Sequence, residues 1–215
     1  MSSELFATLQ QGLQSLALEL TDQQQQKLID FVELLYKWNR VYNLTAVRDT
    51  QQMVRRHLLD SLAVVPYVHG QHIIDLGSGA GLPGIPLAIA LPTKYFVLID
   101  SQLKKTRFLQ QAVTELALAN VEIVCSRIET YTPQQRFDSV ISRALTSLPQ
   151  MLQWSAHLLA ENGVWLAMKG SYPHDEVEQL AKSFEIKAVH QIALPQQQEQ
   201  RLLIELMPTK SQKQN

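Results

Sequence analysis

The chain has 215 residues, 46% of them hydrophobic and 18% charged, a composition typical of one globular domain with a substantial core. Its formal net charge of -1 excludes an overall basic character, so a nucleic-acid partner would have to contact a local basic patch. One cysteine excludes a disulfide framework and a cysteine metal cluster. The lack of a signal peptide and of an apolar run near the ~18 residues of a membrane span predicts a cytoplasmic protein without membrane contact.

The first part of the chain, residues 1–70, has helical periodicity and no strand pattern, which predicts a helical extension. Leucines between Leu5 and Leu16 are spaced for one face of a first helix. The pattern Thr21-x-x-Gln24 is typical of a capping box and predicts the start of a second helix. We expect that helix to be followed by a loop over Trp38–Thr45, which is rich in aromatic and amide side chains.

A third helix is predicted from Thr50, which would cap its first turn. Arg55, Arg56 and His57 fall together on this helix beside Asp60. A solvated charge cluster with an Arg56–Asp60 pair explains these residues about as well as a contact with a substrate does.

The segment His72–Leu87 runs from an apolar strand through a glycine-rich loop into a helix. Such a unit binds nucleotide-like ligands at the carboxyl end of the strand. The alternate glycines Gly77, Gly79 and Gly81 remove Cβ atoms where the backbone turns sharply and a ligand approaches closely. A tight turn without a ligand is the alternative, and three alternate glycines behind an acid argue against it.

Two kinds of ligand fit this loop. The frame Gly79-x-Gly81-x-x-Gly84 matches the dinucleotide fingerprint, in which a pyrophosphate lies at the helix N-terminus. The frame Asp75-x-Gly77-x-Gly79-x-Gly81 puts a carboxylate at the strand end. This carboxylate would repel a pyrophosphate and attract the cationic amino-acid head of S-adenosylmethionine (SAM). The second frame favours SAM, with NAD as the alternative.

The next apolar run, Tyr95–Asp100, also ends in an acid. Asp100 follows Gly77 by about 20 residues, the spacing expected for a carboxylate that binds a ribose. Because SAM and NAD both contain a ribose, Asp100 supports a nucleotide pocket without choosing between them. An exposed strand-end acid that caps the following helix is the alternative.

From residue 72 onward strands alternate with helices, which predicts a mostly parallel, doubly wound α/β sheet. Third and fourth strands at Val121–Cys125 and Phe137–Ile141 would deliver Ser126–Glu129 and Ser142–Ala144 to the rim of the same pocket. We predict helices at Ser101–Leu118, Leu148–Leu159 and Asp175–Phe184, a fifth strand at Gly163–Met168, and an antiparallel pair at Ile186–Leu194 and Arg201–Met207.

The helix after Asp100 begins with three cations, Lys104, Lys105 and Arg107. Positive charge is unfavourable at a helix N-terminus, where the macrodipole is itself positive. Three cations at a position that disfavours positive charge indicate a surface that faces the phosphates of a partner.

Several motifs together resemble those of the RsmG (GidB) methyltransferases, and the resemblance covers about residues 20–206. It implies a Rossmann-like class I SAM-dependent methyltransferase fold. A seven-stranded sheet would occupy residues 71–207, after the helical extension over 1–70 and before a disordered tail over 208–215. The motifs are Asp75–Leu87, Leu98–Ser101, Ser126–Glu129, Ile141–Ala144, Trp38–Thr45 and Arg56–Ser61.

The resemblance implies SAM-dependent methylation of N7 of one guanine in the decoding-region hairpin of 16S rRNA. The substrate would be the small ribosomal subunit or its assembly intermediate, and the protein a monomer. Family contacts with SAM, carried over to this chain, add Leu82, Ile128, Glu129 and Arg143 to the acids and glycines above. The expected cofactor-binding residues are Asp75, Gly77, Gly79, Gly81, Leu82, Asp100, Ser101, Ile128, Glu129 and Arg143. The expected RNA contacts are Arg55, Arg56, His57, Lys104, Lys105 and Lys169.

The chemistry of the side chains agrees with this target atom. Methylation of a pyrimidine carbon usually needs a cysteine nucleophile, and we expect Cys125 to be a small core residue within a strand. Methylation of an exocyclic amine typically uses an Asn/Asp-Pro-Pro-aromatic loop, where this chain has Ile-Ser-Arg-Ala. Guanine N7 already carries a lone pair, so orientation can suffice and no general acid or base is assigned. Arg143 is the candidate that positions the guanine, and His57 is expected to be structural or to contact RNA.

Two functions of other classes stay open at the level of sequence. One is an NAD-dependent oxidoreductase built on the dinucleotide frame, against which Asp75 argues. The other is a non-catalytic RNA- or ribosome-binding module on the same fold, against which the complete pocket motifs argue.

Overall fold

The computed structural model describes residues 2–194 and 201–209. Its helical extension begins with α1 (Ser2–Ser15) and α2 (Asp22–Tyr42). The predicted capping box is confirmed, since Thr21 Oγ1 accepts from Gln24 N–H and Gln24 Oε1 accepts from Thr21 N–H. The Gln24 side chain also donates to the carbonyl of Ile89, which fastens the start of α2 to the core.

Helix α2 continues through the segment where we expected a loop. It ends only at Tyr42, and Asn43 takes the left-handed C-cap conformation with a φ of 50°. The reason is packing, because Trp38 lies against Phe108 and stacks on Tyr42 one turn later. The irregular loop therefore covers only residues 43–49.

The third helical stretch is capped by Asp49, not by Thr50 as predicted, since Asp49 Oδ1 accepts from Gln52 N–H. It starts as α3 (Thr50–Met53), widens into a π-helical segment (Val54–Leu59) and ends as α4 (Asp60–Leu62). Short π-helical segments are frequent at functional sites. This one carries Arg55, Arg56 and His57 and leads directly into the buried Asp60.

One seven-stranded sheet forms the rest of the fold, in the order β3-β2-β1-β4-β5-β7-β6. The first five strands are parallel, and β7 pairs antiparallel with both β5 and β6, so the predicted sheet and its closing pair are confirmed. The strands are β1 (His72–Leu76), β2 (Tyr95–Asp100), β3 (Val121–Cys125), β4 (Phe137–Arg143), β5 (Leu159–Lys169), β6 (Phe184–Ile192) and β7 (Arg201–Pro208). The helices between them are α5 (Gly84–Ala90), α6 (Leu103–Glu115), α7 (Leu148–Ser155) and α8 (His174–Glu178).

Apolar layers cover both faces of the sheet. Ile73 faces the larger layer, which includes the helical extension, whereas its neighbour Ile74 faces the layer that contains α7. This alternation follows from the period of two in a strand and explains why the central strands are apolar on both faces. No helix in the described part of the chain is long and apolar enough to cross a membrane.

Three predictions in the second half of the chain were wrong. The helix expected over Asp175–Phe184 is only the short α8, because Phe184 starts β6 and packs edge-on against Trp165. Cys125 is exposed rather than in the core, because β3 is the edge of the sheet. Pro208 and Thr209, predicted as the start of a disordered tail, are ordered, since Pro208 ends β7 and Thr209 N–H donates to Ser183 O; the prediction for residues 210–215 lies outside the described residues.

Candidate functional site

The glycine-rich loop connects β1 to α5 and has the conformation its sequence predicts. Gly77, Gly79 and Gly81 have φ angles of 65°, 55° and 80°, in the left-handed region that L side chains rarely adopt. The three positions differ in what surrounds them. A Cβ on Gly81 would approach Ile85 to 2.8 Å, whereas one on Gly79 would meet only the carbonyl of Gly77 at 3.6 Å. Gly79 is therefore the glycine that leaves space for a ligand.

Asp75 lies behind this loop and is completely buried. Its Oδ2 accepts from Gly84 N–H at 3.0 Å, and its Oδ1 has no hydrogen-bond partner among residues 2–194 and 201–209. A Cβ on Gly84 would approach Asp75 Oδ2 to 2.7 Å. Gly84, the last glycine of the dinucleotide frame, therefore allows the close contact between its own backbone and Asp75. Asp75 thus supports the loop from behind, and the direct contact with a cationic ligand that we expected is not part of this geometry.

The burial of Asp75 predicts a pH-dependent stability. Burial raises its pKa from 3.8 to about 7. Between these values the folded state binds a proton that the unfolded state has released, so the free energy of unfolding should fall as the pH rises and level off above about pH 7. Asp75→Asn keeps an acceptor for Gly84 N–H but cannot titrate, and should lack this fall. Urea unfolding of both proteins from pH 4 to 8 measures the difference, and parallel profiles would contradict the assignment.

A first cavity of about 380 Å³ opens where β1, β2, β3 and β4 end; we call it the glycine-loop cavity. It contains five of the predicted cofactor-binding residues, namely Gly77, Asp100, Ser101, Ile128 and Glu129. The other five, Asp75, Gly79, Gly81, Leu82 and Arg143, are not part of its described lining, and Leu82 is buried in the core. The full lining is Gly77, Ile99, Asp100, Ser101, Gln102, Lys105, Ser126, Arg127, Ile128, Glu129, Ala144, Leu145 and Trp154.

Asp100 fixes the wall of the glycine-loop cavity. Its Oδ2 accepts from Gly79 N–H at 3.1 Å and its Oδ1 accepts from Gln102 N–H at 2.9 Å. Lys105 Nζ lies 3.4 Å from Oδ2. Lys105, which we predicted to contact RNA, therefore belongs to this cavity, whereas Lys104 is exposed on α6.

Sequence reasoning missed the apolar side of the glycine-loop cavity. Leu145 and Trp154 come from the loop after β4 and from α7, and no motif marks them. The only signal was an aromatic residue on a helix that packs at the rim.

The lining of the glycine-loop cavity fits an adenosyl group that carries an amino-acid tail. Ile128 and Trp154 offer apolar surface to a base, and the carboxylates of Asp100 and Glu129 can accept from hydroxyl or ammonium groups. Gly79 is not in this lining, but its N–H donates to Asp100 Oδ2 in the cavity wall, and an added Cβ there would meet only the Gly77 carbonyl.

A second cavity of about 480 Å³ lies beside the first, and Ala144 lines both; we call it the arginine cavity. It brings together Arg56, His57, Lys169 and Arg143, whereas Arg55 and Lys104 are not in its described lining. Arg143, expected at the cofactor, thus lines the neighbouring cavity. The full lining is Thr45, Ala46, Val47, Arg56, His57, Asp60, Arg143, Ala144, Met168, Lys169, Gly170 and Arg201.

Asp60 holds two arginines in the wall of the arginine cavity. Arg143 lies 3.1 Å from its Oδ2 and Arg201 Nε lies 3.2 Å from its Oδ1. Helical spacing suggested Arg56 as a partner of Asp60, and the structure adds arginines from β4 and β7 on its two carboxylate oxygens. These contacts depend on the pairing of distant strands, which helical spacing cannot reveal.

His57 is a buried, uncharged member of the same wall. Its Nε2 lies 2.8 Å from Thr45 Oγ1, and its Nδ1 has no hydrogen-bond partner in the described ranges. Burial, followed by the charge of Arg143, lowers the pKa of His57 to about 4. Near neutral pH this side chain is therefore a neutral polar group and a weak base.

Lys169 is tied down by its neighbours. Its Nζ donates to both carboxylate oxygens of Glu176, at 2.8 and 3.1 Å, and to the carbonyl of Thr146 at 3.3 Å. A contact of this ammonium group with a phosphate would have to replace one of these three acceptors, and it stays a prediction.

Comparison with known proteins identifies close relatives. The model of the GidB family, described as rRNA small subunit methyltransferase G, matches residues 24–204. A "Ribosomal RNA small subunit methyltransferase G" of Ectopseudomonas mendocina is 52% identical over 196 residues, which cover 90% of this chain and 92% of the relative. The protein of the same name from Alteromonas mediterranea is 49% identical over 89% of this chain and 91% of its own.

Solved structures with low sequence identity share the fold. A glycopeptide N-methyltransferase, MtfA, complexed with SAM, aligns with a TM-score of 0.61 at 10% identity, over 71% of this chain and 88% of its own. TrmN from Thermus thermophilus aligns with a TM-score of 0.55 at 13% identity, over 71% of this chain and 49% of its own. These likenesses confirm the predicted Rossmann-like methyltransferase fold.

Proposed function

The chain belongs to the GidB family, rRNA small subunit methyltransferase G, and on that premise we propose that it methylates N7 of a guanine in the decoding-region hairpin of 16S rRNA. The enzyme is a SAM-dependent rRNA methyltransferase. When bound, SAM supplies a methyl group on a positively charged sulfur, which a nitrogen lone pair can attack. The observation that carries the choice of target is the pair of adjacent cavities that share Ala144.

The two cavities have complementary chemistry. The glycine-loop cavity offers apolar and carboxylate groups for the donor, and the arginine cavity offers guanidinium groups for an anionic RNA and a base edge. An arginine can lie flat on a purine or donate to guanine O6, and either contact would fix the position of N7. We assign this positioning role to Arg143.

No general base is needed for this reaction. The N7–methyl bond forms as the sulfur–methyl bond breaks, and N7 has no proton to lose. The low pKa of His57 agrees with a structural role for this residue. Cys125, although exposed, lies in the described lining of neither cavity, which supports excluding methylation at a pyrimidine carbon.

The alternatives have weaker support. In the dinucleotide frame Gly81 and Gly84 face the protein interior, which disfavours an NAD-dependent oxidoreductase. A non-catalytic RNA-binding module would not need the glycine-loop cavity. We propose that the enzyme acts as a monomer in the cytoplasm, on an assembly intermediate or the finished small subunit.

Methyl transfer from radiolabelled SAM to three substrates tests the proposal: naked 16S rRNA, assembly intermediates and complete small subunits. We expect label on at least one of them and its recovery as 7-methylguanosine after nuclease digestion. Substitution of 7-deazaguanosine at the target should abolish transfer, because it replaces N7 with a carbon. Label in any other nucleoside would refute the choice of N7, and no transfer at all would favour the non-catalytic module.

A further inference from the structure

An aromatic ladder runs from the core to the surface at the end of α2. The ring centroids of Phe31 and Phe108 are 6.3 Å apart, those of Phe108 and Trp38 are 5.6 Å apart, and those of Trp38 and Tyr42 are 5.1 Å apart. Trp38 and Tyr42 are nearly parallel, with 26° between their planes. The ladder therefore ends in a stacked pair of rings whose outer member is Tyr42.

The outer end of the ladder is open to solvent. Tyr42 is 42% exposed although Trp38 covers one of its faces, and the neighbouring Val41 is 71% exposed. Exposed aromatic surface beside a site is the kind of surface on which unpaired bases stack.

Exposed cations lie at and just after this end of α2. Lys37, Arg40 and Arg48 are exposed, and the sequence has no acidic residue between Glu33 and Asp49. Arg48 is fixed beside the ladder, because its guanidinium donates to Asn43 Oδ1 at 2.7 Å. In a chain with a net charge of -1, this stretch is a local basic patch.

Hydrogen bonds from Asn39 connect the ladder to the arginine cavity. Asn39 is buried, its Nδ2 donates to Val47 O at 3.0 Å, and its Oδ1 accepts from Thr45 N–H at 2.8 Å. Thr45 and Val47 both line the arginine cavity. Since Thr45 follows Tyr42 by three residues, their Cα atoms are at most about 11 Å apart. The ladder is thus held at the edge of the cavity that we assign to the target base.

We propose that Tyr42 is a stacking platform for an unpaired base of the RNA substrate that flanks the methylated guanine. This inference rests on the proposed function and names a contact outside both cavities. Arg40 and Arg48 face the phosphates on either side of the stacked base. The platform selects a substrate in which the bases beside the target are free to leave a helical stack.

Four variants test the platform through their affinity for a fluorescent RNA hairpin of the decoding region, measured by anisotropy. Tyr42→Ala should weaken binding about tenfold, because stacking on an aromatic ring contributes at least ~1 kcal/mol per base. Tyr42→Leu keeps apolar area without a π face and should weaken binding similarly. Tyr42→Phe should bind like the wild type. Tyr36→Ala is the matched control, since Tyr36 lies on another face of α2 and is 37% exposed.

The possible outcomes separate this inference from the proposed function. If either Tyr42→Ala or Tyr42→Leu bound the RNA hairpin as tightly as the wild type, the platform would be overturned, even if the wild-type enzyme methylates rRNA. A loss equal to that of Tyr36→Ala would also overturn it. Failure of the wild type to methylate any rRNA substrate would instead refute the proposed function. SAM affinity, measured in parallel, should be unchanged in all four variants, and a loss of SAM affinity in Tyr42→Ala would overturn the platform, because Tyr42 would then act through the glycine-loop cavity.

Discussion

Replacement of Gly79 by valine should abolish measurable SAM binding and leave the protein folded. An added Cβ at this position meets only the Gly77 carbonyl at 3.6 Å, an ordinary contact, so the fold can accommodate it. The cost to folding is the left-handed φ of 55°, about 1–2 kcal/mol for a residue with a Cβ. The valine methyl groups would then occupy the space through which a ligand approaches the loop.

Calorimetric titration with SAM and a thermal melt of the same sample measure the two parts of this prediction. We expect affinity to fall more than about 100-fold, equivalent to ~2.7 kcal/mol. Two glycines serve as controls. Gly170 lines the arginine cavity, and an added Cβ there has nothing within 4 Å. The Gly170→Val variant should therefore bind SAM normally. Gly81→Ala should instead lower stability, because its Cβ would lie 2.8 Å from Ile85 Cγ1. Undiminished SAM binding by folded Gly79→Val would show that the loop is not the binding element.

Half of the predicted cofactor-binding residues line the glycine-loop cavity, because each of the motifs that carry them is local in sequence. The spacing of a strand, a glycine loop and an acid at the end of the next strand is enough to predict a nucleotide pocket. The structure brings five of the predicted residues together as expected, namely Gly77, Asp100, Ser101, Ile128 and Glu129. Parallel strands place their carboxyl ends at one edge of the sheet, so the order of motifs along the chain is enough to assemble them.

The arginine cavity was only partly predictable, because its contacts join elements far apart in sequence. Asp60 meets Arg143 and Arg201 through the pairing of β4, β5 and β7, and no pattern within one helix indicates this. The π-helical segment buries His57 together with Val54, Leu58 and Leu59, where the sequence offered a solvated charge cluster or a substrate contact. The tethering of Lys169 depends in the same way on Glu176 in α8.

The tertiary surroundings of single residues explain two further errors. Cys125 looked like a core residue because its strand is apolar, but β3 has a neighbour on one side only. Trp38 looked like part of a loop because aromatic and amide residues cluster there, yet packing against Phe108 continues the helix. Tertiary contacts decide such positions, and local propensity does not.

Replacement of Arg143 by alanine should slow methyl transfer on the order of 100-fold at saturating RNA and SAM, because misplacement of a reacting group by about 1 Å costs that much. RNA affinity should change much less, since one of several cations is lost. SAM affinity should stay within about twofold, because Arg143 lies outside the described lining of the glycine-loop cavity. Arg143→Lys should not restore the rate, as an ammonium group has no plane to stack on a purine.

Asp60→Asn extends this prediction to the residue that holds Arg143. The amide keeps the shape of the carboxylate but removes the charge that faces Arg143 at 3.1 Å and Arg201 at 3.2 Å, leaving two guanidinium groups to repel each other. We expect a slower single-turnover rate with unchanged SAM affinity, as for Arg143→Ala but smaller. Arg107→Ala removes an exposed cation from α6 and is the control for loss of charge alone. Either of two outcomes would show that the arginine cavity does not position the guanine. One is methyl transfer by Arg143→Ala at the wild-type rate, and the other is a loss of rate in Asp60→Asn no larger than that in Arg107→Ala.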